Sequence, residues 1–449
     1  MAATRGEFSS RFGFIMAAAG SAVGLGNIWG FPTQAASNGG AAFLLVYLLL
    51  AFVLAYPALM AELIIGRHAH ANTVSALKQI SNGPVSARIG ATTGIIGFTV
   101  ASLILSFYAI VAGWMIAYCL GSLFELFGLH GIHAWLIEFS FSRNILFAAV
   151  FMLLTVGIIS KGVQSGIERW SSRLMPALLL MLVALVVYVL TLPGAMQGLK
   201  VYLQPDLSSA LQPELIVAAL GSAFFSLSLG VGTMLVYGSY INDREHLPKL
   251  GGMVTLVDVC IAVVAGFLVL PAMYVAAHNG VQIFTESGAL LSEDTLIFTV
   301  LPALFESMGT AGIVVSSVFF FLMSIAALTS SISMLEVPVA YTVETYNQPR
   351  HRVTYLIGGA IFLVSLGILL NFDTLFGFVI ALTTRYSQPL LGFMLCVFAG
   401  WVWHRNSLLA ELQKNDANAE HSLFWRIWPG YVRYVCPLVI LGIFAQSLR

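Results

Sequence analysis

The sequence predicts an all-α polytopic membrane protein, and three observations carry that expectation. Hydrophobic residues make up 59% of the chain and charged residues 9%, whereas a soluble globule carries charge on roughly a quarter of its residues. Apolar runs long enough to cross a bilayer as a helix of about 20 residues recur along the whole length. Two of those runs are interrupted by glycine at matching points, Val23-Gly24-Leu25-Gly26-Asn27 and Leu229-Gly230-Val231-Gly232-Thr233.

Taken in order, the spans are expected at 12–36, 41–66, 92–125, 145–160, 166–192, 213–240, 251–277, 307–342, 353–371, 375–403 and 430–448, eleven in all. The fourth is near the lower limit of length, and only a short polar loop divides it from the fifth. Residues 1–11 form a cytoplasmic tail, 404–429 a polar cytoplasmic linker, and 430–449 an accessory last span. An N-terminus in the cytoplasm places sixteen of the twenty Lys and Arg residues inside, leaving Arg143, Lys200 and Arg449 outside and Arg385 within a span. That excess sets the orientation and puts the C-terminus outside. The outer connection 278–306 carries Val281, Ile283, Phe284, Leu290 and Leu291. It suits a lid that packs down and a plain surface hairpin equally.

The remaining composition excludes several classes. A net charge of zero with no basic run gives no sign of nucleic-acid binding. Cys119, Cys260, Cys396 and Cys436 stand singly in apolar runs and read as small core residues. The pairs His68/His70 and His130/His133 offer two ligands each, too few for a metal site on their own. No nucleophile with a base and no acid–base pair lies at membrane depth, so the chain is not expected to be an enzyme. Ala17-Ala18-Ala19-Gly20 looks like a signal-peptidase site. Cleavage there would discard half of the matched glycine pair.

Each glycine weakens a helix by about 1 kcal/mol relative to alanine. A helix opened at membrane depth exposes N–H and C=O groups that are tolerated only where they line a cavity or bind something. Paired broken spans at corresponding points of two halves point to a secondary transporter with its site at the bilayer midplane. The alternative is a pair of close-packing contacts between helices.

Ionisable groups at membrane depth are few: Glu62, Asp258, Glu336 and Arg385, with Glu306 at a boundary. Glu62, late in the second span, is placed to accept bonds from amides that a broken helix frees; bracing of neighbouring helices is the structural alternative for Glu62 and Glu336. Asp258 belongs with oxygen donors suited to a small hard cation: the carbonyls at 20, 22 and 23, Asn27, Ser226 and Thr329-Ser330-Ser331. Those hydroxyls are equally able to bond back to their own helix.

The runs Gly20-Ser21-Ala22-Val23-Gly24-Leu25-Gly26-Asn27-Ile28-Trp29-Gly30-Phe31-Pro32, Asn38-Gly39-Gly40, Phe224-Phe225-Ser226-Leu227-Ser228-Leu229-Gly230 and Leu328-Thr329-Ser330-Ser331 resemble the neurotransmitter:sodium symporter family, in a bacterial form, through nearly the whole chain. The resemblance implies a core of two inverted five-helix repeats, 12–192 and 213–403, with spans 1 and 6 unwound at mid-membrane. It also implies symport of sodium with a neutral, hydrophobic or aromatic amino acid by alternating access, in a bacterial inner membrane. A sensor that kept the site without transporting is the alternative. The expected partners are an amino acid, sodium ions and lipid; a monomer and a homodimer are both compatible with the sequence.

By the same resemblance, one sodium ion sits among Ala22, Asn27, Ser226, Asp258 and the substrate carboxylate. The other lies among Gly20, Val23, Ala326, Thr329 and Ser330. The substrate meets Ala22, Gly26, Ile104, Tyr108, Phe225, Ser226, Ser228, Val231, Ser330 and Met334. Val231 stands where many relatives carry a bulkier residue, which leaves room for a medium or large apolar side chain. Asp258 supplies the negative charge that chloride provides in some relatives, so chloride is not expected to be needed. Arg5 and Glu344 form the inner gate. At the outer gate the usual arginine is Gly30 and the tenth span lacks the usual acid but carries Arg385, which replaces the missing guanidinium, snorkels outward or braces a loop.

Overall fold

The computed structural model describes residues 6–204, 210–283 and 296–447. In chain order the principal helices are α1 (Arg11–Ala22), α2 (Gly26–Ser37), α3 (Ala41–Ala69), α4 (Thr73–Gln79), α5 (Pro84–Leu126), α6 (His130–Ile137), α7 (Phe141–Ile159), α8 (Val163–Leu190) and α9 (Ala195–Leu203). There follow α10 (Pro213–Ser226), α11 (Thr233–Gly238), α12 (Leu247–His278), α13 (Leu296–Ser307), α14 (Gly309–Tyr346), α15 (Arg350–Leu370), α16 (Phe372–Val402), α17 (Arg405–Gln413) and α18 (Leu423–Gln446).

Local signals set several of these boundaries. Ser10 caps α1 by accepting the Gly13 amide at 3.0 Å, and Asn72 caps α4 by accepting the Ser75 amide at 3.0 Å. Pro84, Pro213 and Pro248 stand in the first turns of α5, α10 and α12, where a missing N–H is harmless. The third expected span is longer than its apolar run, because the helix begins at Pro84. The last begins at Leu423 instead of 430, since Leu423–Gly430 is amphipathic and runs on into the apolar stretch. The polar linker is partly helical, holding α17, and the outer connections hold α6 and α9.

Among the described residues eight helices are long and apolar enough to cross a membrane, or ten if the two bent pairs, α1 with α2 and α16 with α17, each count as one. Large apolar side chains such as Leu153, Leu180, Val187, Leu356, Leu363 and Leu438 are exposed on their outward faces, a belt that water would not tolerate at this extent. Inside, α14 runs along α5, both pack on α7, and α1 lies against α8, α12 and α14. The short helix α11 lies on α3. This arrangement brings the ends of α1 and α10 into the middle of the helix bundle. The expected lid at 278–306 falls partly on residues 284–295, which lie outside the described residues; 296–307 is the helix α13.

Candidate substrate and ion site

Two interruptions build the site. α1 ends at Ala22, Val23 is extended (φ −73°, ψ 98°), and α2 starts at Gly26 with its axis turned by 61°, opening on a wide π turn over Gly26–Gly30. α10 ends at Ser226, and α11 starts only at Thr233. Between them Ser228 (φ 52°), Gly230 (φ 91°) and Gly232 (φ 82°) take left-handed conformations, which glycine adopts without strain. At Gly230 space also forbids a side chain, since a Cβ would come within 2.4 Å of the Gln388 carbonyl oxygen.

The two breaks face each other. The Ser228 hydroxyl donates to the Ser21 carbonyl (2.9 Å), and the Asn27 amide nitrogen donates to Ser226 Oγ (2.6 Å). Buried backbone groups must find partners, and those freed in the second break find them in side chains. Glu62 accepts the Gly230 amide on Oε1 (2.7 Å) and the Leu235 amide on Oε2 (3.3 Å). Gln388 Nε2 donates to the Leu229 carbonyl (2.9 Å), and Thr233 Oγ1 to that of Ser228 (3.1 Å). Glu62 therefore accepts amides that the broken helix frees, as its place in the sequence suggested, and so ties α3 to the opened backbone.

Three of the side chains expected around one cation, Asn27, Ser226 and Asp258, lie together. Asp258, on α12, accepts Asn27 Nδ2 on Oδ1 (2.6 Å) and the Ser226 hydroxyl on Oδ2 (2.6 Å), and Tyr47 OH lies 3.3 Å from Ser226 Oγ. All four residues are buried. Asp258, Ser226 and Tyr47 offer oxygen and Asn27 an amide, with no thiol or imidazole, which is the donor chemistry of a hard cation. A second oxygen cluster lies where α14 crosses the end of α1. Ser330 Oγ is 3.2 Å from both the Gly20 and the Val23 carbonyls, and Thr329 Oγ1 donates to the Ala326 carbonyl at 3.0 Å and that of Ile325 at 3.1 Å. Thr329 thus makes the back-bond that mid-helix threonines commonly make, and it packs on Gly20, where a Cβ would lie 3.1 Å away.

Between the breaks lies a cavity of about 60 Å³, walled by Ala22, Gly26, Ile104, Tyr108, Phe225, Ser228, Val231, Ser330 and Met334. Of the residues expected around the substrate, Ser226 alone is not on this wall; its hydroxyl is turned to Asp258. The wall also includes Ser21, Gly24, Leu25, Asn27, Phe107 and Gln388. Gln388 is an uncharged amide, so its only mark in the sequence is a Gln-Pro pair inside an apolar run. The Leu25 amide donates to Tyr108 OH (3.3 Å), so the tyrosine hydroxyl lies at the start of α2, where the helix dipole is positive. Gly24 is closely hemmed in: a Cβ would come within 2.8 Å of Ser330 Oγ and 3.0 Å of Tyr108 OH.

Phe225 and Gln388 also border a second cavity, of about 160 Å³, lined by Gly221, Phe224, Thr384, Arg385, Pro389, Ile440 and Ile443. Arg385 is on that wall and not on the first one, with its guanidinium 5.7 Å from the Tyr386 ring centre. Of the two residues expected at the inner gate, Arg5 lies outside the described residues, and Glu344 Oε2 accepts both the backbone and side-chain amides of Asn72, each at 2.8 Å. The neighbouring Phe8 is buried against Phe14 and Tyr237, with its amide on the Tyr240 carbonyl (3.0 Å). Ser9 and Ser10 bond the carboxylate of Glu168, at the start of α8. Glu336 binds Tyr240 OH (2.6 Å) and the guanidinium of Arg350 through Nη1 (3.0 Å) and Nη2, a brace between α14 and α15.

The model of the sodium:neurotransmitter symporter family matches residues 5–142 and 129–449. A sodium-dependent transporter of Bacillus subtilis, YhdH, is 36% identical over 98% of this chain and 97% of its own length. A sodium-dependent transporter of Haemophilus influenzae is 31% identical over 99% of this chain and 98% of its own. Among solved structures, that of MhsT in complex with L-phenylalanine superimposes with a TM-score of 0.83 at 35% identity, covering 99% of this chain and all of that one.

Proposed function

Since this chain belongs to the sodium:neurotransmitter symporter family, we propose that it imports a neutral, hydrophobic or aromatic amino acid together with sodium by alternating access. One observation carries the reading: the side chains of Asn27, Ser226 and Asp258 converge immediately beside the cavity walled by Gly26, Tyr108 and Phe225, with the Ser226 and Asp258 oxygens gathered around the Asn27 amide nitrogen. A carboxylate held at the Tyr108 hydroxyl and the start of α2 would complete the shell of a sodium ion in that cluster. Ion and substrate then favour each other's binding by the same factor. The L-phenylalanine in the MhsT complex supports an apolar side chain lying toward Ile104, Val231 and Met334.

A second sodium ion belongs in the cluster of Gly20, Val23, Ala326, Thr329 and Ser330. Two ions crossing 100 mV release about 4.6 kcal/mol, enough for roughly a thousandfold accumulation of a neutral amino acid. Asp258 supplies the charge that would otherwise be asked of chloride. Counting α10 with α11 as one broken span beside the two bent pairs gives eleven crossings, in two five-span repeats with both breaks near the midplane. The positive-inside excess supports a cytoplasmic N-terminus and an external C-terminus in a bacterial plasma membrane. Arg5 and Glu344 close the inner end, and Arg385 takes the outer-gate part from the far side of Phe225.

The test is uptake of labelled amino acid by proteoliposomes under an imposed sodium gradient, with a potassium gradient as control and the twenty amino acids as competitors. Sodium-driven accumulation is expected. Sodium-dependent binding without accumulation would indicate a sensor instead.

A further inference from the structure

The start of α7 holds a buried cation that the symport site does not use. Arg143 stands in the first turn of that helix and is fully buried. Its Nε donates to the Leu136 carbonyl (2.9 Å) and its Nη1 to Asn144 Oδ1 (2.8 Å), and the guanidinium lies 5.0 Å from the Phe139 ring centre and 5.6 Å from that of Tyr118. Nη2 is buried with no hydrogen-bond partner. Among the described residues no carboxylate pairs with Arg143; Glu125, at the end of α5, is engaged by His130 at 3.0 Å. Carbonyls and aromatic faces stabilise a guanidinium but leave its charge uncompensated, and a charge held in this way is expensive without a counter-charge.

The turn around it lacks partners too. Ser140 occupies the capping position of α7 in extended conformation (φ −95°, ψ 150°), yet its side chain makes no capping bond, and Oγ is buried without a partner. The first amides of a helix have no acceptor within it, and the macrodipole adds about half a positive charge at that end. A buried donor left unsatisfied in a native fold calls for a specific explanation. Here a positive helix end, a hydroxyl and a spare guanidinium N–H occur in one turn, which is the donor chemistry of an anion site.

We propose that the N-terminus of α7 binds a small monovalent anion through Arg143 Nη2, the Ser140 hydroxyl and the first-turn amides. A halide and a small carboxylate both present one compact negative charge and both suit these donors. The site belongs to different helices from the Asp258 cluster, so its anion contributes stability to the outer end of the fold and takes no part in ion coupling.

The experiment is the unfolding midpoint of the purified full-length protein at fixed sodium concentration, with chloride, formate or the bulky anion gluconate. Chloride or formate is expected to raise the midpoint saturably by several degrees over gluconate. Response to chloride alone assigns a halide, and response to formate a carboxylate. Ser140→Ala should weaken the apparent anion affinity at least threefold, and Arg143→Gln should abolish the response. If Arg143→Gln fails to fold, Ser140→Ala decides by itself. Equal midpoints in the three salts, or wild-type anion affinity in Ser140→Ala, overturns the proposal.

Discussion

Glu62 and Gly230 are joined by a 2.7 Å bond from the glycine amide to the buried carboxylate, which ties α3 to the opened backbone between α10 and α11. The same carboxylate also takes the Leu235 amide. Hydrogen bonds to a charged group contribute about 1.5–3 kcal/mol each. Glu62→Gln keeps one acceptor but turns an NH2 group toward the other amide. Uptake is expected to fall at least tenfold, with the unfolding midpoint lowered by several degrees; wild-type uptake in that variant would show the brace to be dispensable.

The carboxylate of Asp258 is the charge facing the proposed first ion, held by Asn27 and Ser226 at 2.6 Å each. Asp258→Asn should raise the sodium concentration for half-maximal substrate binding at least tenfold, about 1.4 kcal/mol. Wild-type uptake should be the same whether the medium contains chloride or gluconate. A strong loss of wild-type transport without chloride would remove Asp258 from this role.

Val231 is buried and lines the same cavity as Ile104 and Met334, whose free volume is only about 60 Å³. Val231→Phe fills that space, and overpacking a tight site typically costs about 1–3 kcal/mol. Competition by phenylalanine against a bound ligand should weaken roughly tenfold while competition by alanine is retained. A uniform loss across all competitors would point to misfolding instead of lost volume.

Arg385 borders the cavity behind Phe225. If it acts in the outer gate, Arg385→Gln should lower the uptake rate several-fold while sodium-dependent stabilisation by substrate stays as in the wild type. Uptake at the wild-type rate in this variant ends the assignment.

Outside the spans, α17 is clamped to the end of α3. Arg67 Nε donates to Glu411 Oε1 (2.6 Å), and His68 and Lys414 lie 3.1 and 3.0 Å from Glu411 Oε2. Burial pushes the Glu411 carboxyl up, but the His68 hydrogen bond, the Arg67 charge and Lys414 outweigh it and hold it down at about 2, against an ordinary 4.5. A pKa depressed in the folded state means that the contact stabilises fully above the ordinary value and is lost as pH falls from there toward 2. The unfolding midpoint should therefore drop through that window. Glu411→Gln should flatten the drop and, by leaving Arg67 buried without a counter-charge, lower stability at neutral pH by about 3–5 kcal/mol. An unchanged pH profile in that variant would exclude the clamp as its source.

The broken spans were legible in the sequence because their cause is local: glycines that weaken a helix in a medium offering no other hydrogen-bond partner. Glu62 and Asp258 announced themselves by the same rule, since a carboxylate at membrane depth needs a reason. Gln388 did not, because an uncharged amide in an apolar run gives a weak signal until the Leu229 carbonyl is seen 2.9 Å away. Glu168 is similar. It sits among other charged residues at a span boundary, and nothing nearby in sequence says that its carboxylate receives Ser9 and Ser10 from 159 and 158 residues away.

What the sequence determined by itself is the class of the molecule: apolar spans, two points of rupture and the polar groups around them, all properties of a residue and its near neighbours. The tertiary structure alone decided which groups meet. Asn27 and Asp258 are 231 positions apart, and Arg67 and Glu411 344. It also decided that Arg385 borders a different cavity from Tyr108, and that Arg143 is sealed away without a counter-charge among the described residues. Contacts across such separations are set by how the helices pack, which spacing along the chain does not encode.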